Sequence, residues 1–110
     1  MNTIPNVSLE LTDLPAPEDD WGRIGTFALT FDGYEHWGSF KACGEVAERW
    51  RQAFIGEGAL PPTLTELRIC LFFEQRRWRH YGYIPDETAM SYIRSLVTEI
   101  HSRVQQDKRE

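Results

Sequence analysis

The chain has little of what marks the commonest chemistries. It has two cysteines in 110 residues, Cys43 and Cys70, and neither belongs to a CxxC pair. Two cysteines make at most one bridge, so a disulfide framework and a four-thiolate zinc site are both excluded. The three histidines, His36, His80 and His101, share no metal-ligand spacing, and there is no HExxH and no carboxylate-spaced calcium loop. No metal and no cofactor are expected. The first 20 residues lack a basic stretch followed by an apolar run, so no secretory leader is expected. The longest strongly apolar run is "ICLFF" (69–73), far short of the ~20 residues that span a bilayer, so no membrane association is expected. Glycine is sparse where phosphate chemistry needs it. The "GEG" at 56–58 follows a helical pattern instead of opening one and offers no ring of N–H donors.

Excess positive charge is also lacking. The formal net charge is −5 and the pI is about 5.2. Nucleic-acid binders draw most of their affinity from neutralising phosphates, so a nucleic-acid partner is disfavoured, and no RNP-type sequence is present. With reduced thiols, no leader and no span, the expected setting is cytoplasmic.

What is present is ordinary globular material: 41% hydrophobic and 26% charged residues, with 13% aromatics. Each buried aromatic can remove about 150–250 Å² from water, so one domain over 1–110 can build a core. The ends, 1–5 and 105–110, are polar and expected to fray, and 13–22 reads as an acidic, proline-containing loop.

Alternation of apolar and polar residues predicts strands. Val7, Leu9 and Leu11 share one face of 6–12, and Phe27, Leu29 and Phe31 share one face of 26–32. Leu67, Ile69, Leu71 and Phe73 do the same in 65–74, with "RRWRHYGYI" as the return strand. Three- and four-residue steps predict two helices. The first covers 39–58, with Ser39 as N-cap, Gly56 as left-handed stop and Phe40, Cys43, Val46, Ala47, Trp50 and Phe54 as its stripe. The second is opened by Asp86 and carries Ala89, Met90, Ile93, Leu96, Val97, Ile100 and Val104. The order β-β-α-β-β-α predicts an α+β two-layer sandwich, a four-stranded mainly antiparallel sheet with both helices on one face.

That leaves one sheet face open. An even hairpin loop within 74–77 would put Trp78 and His80 inward, with Arg68, Cys70, Phe72, Arg79, Tyr81 and Tyr83 outward. An odd loop would invert the return strand and bury Arg79, which is costly for an unpaired guanidinium. The expected interface is therefore Arg68, Phe72, Arg77, Arg79, Tyr81 and Tyr83. Monomers seldom leave such an apolar patch bare, and interfaces favour aromatics and Arg. A second copy of the chain, another protein or single-stranded nucleic acid on the 68–83 hairpin could cover it, or the side chains could cover one another.

For catalysis, the most site-like stretch is "DGYEHWG" (32–38), with Tyr34, Glu35, His36 and Trp37 between two glycines. No nucleophile or oxyanion device accompanies the Glu–His pair, so no catalytic residue is assigned. "EDD" (18–20) reads as a solvated loop. Cys43 reads as a structural thiol, and Cys70 is the one thiol with any electropositive neighbour in the sheet. The sequence thus points to a small acidic non-catalytic binding protein, a homodimer acting on another protein. The alternative is a small-ligand binder or minor enzyme with its pocket between the 32–38 loop and the helix over 39–55.

Overall fold

A computed structural model describes residues 14–30, 39–80, 82 and 84–109, with backbone alone for 80 and 106–109. Among the described residues it is all helix. Four helices occur there: α1 (Trp21–Ala28), α2 (Phe40–Glu57), α3 (Leu64–His80) and α4 (Glu87–Arg109). No strand occurs among them, so the α+β sandwich and its sheet are replaced by a helical bundle. The expected strand at 6–12 lies outside the described residues.

The caps explain where the helices begin. Asp20 accepts from the Arg23 amide at 2.9 Å and opens α1. Ser39 accepts from the Ala42 amide at 3.0 Å and opens α2, as its sequence position suggests. Thr63 opens α3 as its N-cap. Its hydroxyl accepts from the Glu66 amide at 3.2 Å and donates to the Glu66 carboxylate at 2.9 Å. Asp86 accepts from the Ala89 amide at 2.8 Å and opens α4. The stop of α2 is Gly58 at φ 71°, two residues beyond the expected Gly56. α4 runs through Arg109, so its backbone stays helical over most of the segment expected to fray.

α3 is the central element and packs against each of the other three helices. Its apolar alternation is real but serves two sides of a helix. Leu67 and Leu71, four apart, enter a core with Ile24, Phe27, Tyr92, Ile93, Leu96 and Ile100. Ile69 joins a second cluster with Cys43 and Ala47 of α2, against which Phe72 and Phe73 pack. A helix buried on most sides loses the one-stripe signature, and a short apolar run then reads as a strand. The strand expected over 26–32 is in part the last turn of α1. The return strand after residue 74 is the continuation of α3, which ends before Gly82 at φ 71°.

The acidic loop is structured rather than merely solvated. Leu14 and Pro15 are buried. From α4, Arg94 donates to the Pro17 and Asp19 carbonyls, and His101 Nε2 lies 2.9 Å from the Pro15 carbonyl. Asp19 pairs with Arg23 at 2.9 Å, while Asp20 caps α1. Two of the three "EDD" carboxylates therefore have structural partners.

Candidate site: the cleft between α2 and α3

Small residues let α2 approach α3. Gly44 faces the Phe73 ring, and a Cβ built there would sit 3.4 Å from it. Gly44, Ala47, Glu48 and Arg51 follow at i, i+3, i+4 and i+7, which places them on one face of α2. Opposite them, Phe73, Glu74, Arg76 and Arg77 lie on one arc of α3. Together they line a cleft of about 310 Å³.

Glu74 forms its floor. The side chain is 4% exposed and accepts from Arg51 Nε at 2.8 Å and from Trp78 Nε1 at 3.2 Å. A buried carboxylate needs such partners, because desolvating an isolated charge is prohibitive. At the rim Arg77 donates to Glu48 at 2.7 Å, an exposed pair of small energetic weight. Gln52 also donates to Glu48, at 2.9 Å. The Gln52 hydrogen bond, helped by the Arg77 and Arg51 guanidiniums, outweighs the opposing desolvation and holds the Glu48 carboxyl below its usual range. Arg76 stands apart from these pairs. Its guanidinium lies 4.7 Å from the centre of the Phe40 ring, and among the described residues it has no carboxylate partner. Phe40 is 39% exposed and tilts against Phe73 at 4.9 Å.

Both carboxylates among the described lining residues are thus matched by guanidiniums, and the third arginine there supplies the surplus charge. Among the described side chains lining the cleft there is no thiol, hydroxyl or imidazole. A second hollow, of about 570 Å³, runs along α1, but its charged residues already serve the fold, Asp20 as a cap and Arg23 in its pair with Asp19. Among the described residues no group of three or more His, Cys, Asp or Glu side chains is placed to hold a metal ion, and no helix is long and apolar enough to cross a membrane.

The residues expected to share an outer sheet face are dispersed. Arg68 is 3% exposed, stacks over Phe27 at 4.6 Å and donates to Thr30 Oγ1 at 2.9 Å. Phe72 packs against the α2 cluster, edge-on to Phe73. Cys70 is buried facing α1 and α4, and burial pushes its thiol up to about 12. Cys43 is buried, as its stripe position implies, and burial raises its thiol too. Thiols held protonated in this way are poor nucleophiles. Arg79 is exposed on α3, away from the cleft lining, and Arg77 alone of the expected set lies in the cleft. Tyr81 and Tyr83 lie outside the described residues, as do Tyr34, Glu35, His36 and Trp37. Glu48 and Arg51 are not singled out by the sequence; Phe40 reads as part of the buried stripe of the first helix, whereas it is 39% exposed, and Glu74 and Arg76 read as part of a hairpin tip. The signal that would have found them is the "TLTE" N-cap pattern at 63–66, which turns "EQRRWR" from a hairpin tip into a helical arc.

No family model matches the chain, and no curated protein or solved structure is significantly similar to it.

Proposed function

We infer that this chain is a small non-catalytic binding module that engages another protein through the α2–α3 face. The observation that carries this reading is the exposed Phe40 capped by the Arg76 guanidinium at the mouth of the cleft. Aromatic and arginine side chains are the types that concentrate binding energy at protein interfaces. Support for binding over catalysis comes from the lining, where the carboxylates are ion-paired and the described side chains include no nucleophile with its base. The dimer expected from the sequence rested on an open sheet face. Its Arg68 is instead in the core, so a partner other than a second copy is the better reading. Both cysteines are buried thiols outside any disulfide, which suits a reducing compartment, and action in the cytoplasm is part of the proposal.

The test is site-specific photocrosslinking in the cells of origin. Phe40 is replaced by p-benzoylphenylalanine, and Thr98, exposed on α4, by the same residue as the control. The expected result is one discrete heavier adduct from position 40 and none from position 98. Adducts from neither position, or equally from both, would refute the reading. An adduct of twice the chain's mass would return the assignment to a homodimer.

A further inference from the structure

We propose that Arg76, seated on Phe40, grips a single carboxylate side chain of the partner protein, flanked there by an apolar residue that lies on the Phe40 ring. This deepens the binding-module reading and rests on it. Among the described residues, three guanidiniums and two carboxylates line the cleft. The carboxylates take Arg51 and Arg77 at 2.8 and 2.7 Å, which leaves Arg76 as the local surplus of one positive charge. A guanidinium stacked on a ring has its edges free to donate, and its fork matches a carboxylate in a bidentate contact. The ring also restricts the guanidinium before the partner arrives, so less freedom is lost on binding.

The rest of the molecule limits the size of the anion. The whole chain carries −5, so a long polyanion would meet repulsion beyond the cleft. Nucleic acid and runs of acidic residues are thereby disfavoured. One carboxylate beside an apolar group suits a mouth built of one surplus arginine and a half-exposed phenylalanine. Glu48 sits at the same rim as an ionised carboxylate and would oppose a second negative charge.

The inference is tested by NMR titration of the full chain with two capped tripeptides, acetyl-Leu-Glu-Phe-amide and acetyl-Leu-Gln-Phe-amide. The readout is the side-chain Nε–Hε signals of Arg76, Arg51 and Arg77. The Glu peptide should move the Arg76 signal most, and the Gln peptide should bind about tenfold more weakly, as loss of a charge-assisted bidentate contact implies. Arg76→Gln should weaken the Glu peptide by about the same factor and leave the circular dichroism spectrum unchanged, since Arg76 is exposed. Equal affinity for the two peptides, or unaltered affinity in Arg76→Gln, would overturn the proposal. So would tighter binding of a single-stranded oligonucleotide than of the Glu peptide. Failure here alongside a discrete adduct at position 40 rejects the carboxylate and keeps the binding face. Absence of the adduct rejects the face itself.

Discussion

Removing Glu74 should be among the most damaging polar changes in this protein. Its carboxylate is 4% exposed and ties α3 to α2 through Arg51 at 2.8 Å, while also accepting from Trp78 Nε1. Glu74→Ala leaves Arg51, itself only 19% exposed, without its counter-charge. Breaking a buried pair from one side costs about 3–5 kcal/mol. The residual exposure of Arg51 allows some rehydration, which places the expectation at the lower end, about 3 kcal/mol. With a urea m-value of about 2 kcal/mol/M for a domain this size, the midpoint should fall by about 1.5 M. Four tryptophans provide the fluorescence signal for the titration. The double variant Arg51→Met, Glu74→Leu removes both charges and fills the space with apolar atoms, so it should lie within about 1 kcal/mol of the parent. The strong non-additivity is the diagnostic, because residues in contact couple by roughly 0.5–3 kcal/mol. A midpoint shift below about 0.5 M for Glu74→Ala would refute the pairing. So would a double variant as unstable as the summed singles.

Two further outcomes follow from the core. Leu71→Ala truncates a side chain with no exposed surface and should cost about 2–5 kcal/mol, whereas Ile84→Ala should stay within about 0.5 kcal/mol. Equal effects in the same urea titration would mean that α3 is not the central helix. Alkaline pH should destabilise the fold through Cys70. The folded thiol keeps its proton up to about 12 while the unfolded thiol releases it near the ordinary value of 9.0. The associated stability is therefore complete below pH 9 and is lost as pH rises from 9 towards 12, by up to about 1.4 kcal/mol per pH unit. Cys70→Ala should reduce the slope between pH 9 and 10, the buried Cys43 thiol supplying part of what remains. That interval lies below the range in which Tyr92, which burial also pushes up, adds to the loss. An unchanged slope in the variant would show that Cys70 is not buried as described.

The outer helices were legible because each departs from solvent on one side only. α2 and α4 show apolar residues at three- and four-residue steps, and Ser39 and Asp86 cap them where their positions suggest. α1 was not legible, since eight residues with two glycines carry weak helical preference and the alternation of Phe27 and Leu29 continued past its end. α3 misled for a different reason. Leu67, Ile69, Leu71 and Phe73 fit a period of two, yet a helix that meets neighbours on opposite sides needs apolar residues about 200° apart, and alternation supplies them. Local chemistry discriminates between the two readings. "TLTE" is an N-cap pattern, and Glu74, Gln75, Arg76 and Arg77 are good helix formers with no turn residue among them, which a tight hairpin would require.

The change of period moves function as well as fold. In a strand, Arg68, Phe72 and Arg79 are separated by even steps or paired across the hairpin and so share a face. In a helix the four-residue step from Arg68 leads to Phe72 and then Arg76, but only the last clears the packed part of α3. The burial follows from that position, with Arg68 beneath α1, Phe72 against α2 and Arg76 in solvent on Phe40. An arginine row that reads as one open surface therefore divides into a core residue and a rim residue. The rim residue is joined there by Glu48 and Arg51 of α2, which no reading of the 74–83 segment by itself could have brought to it.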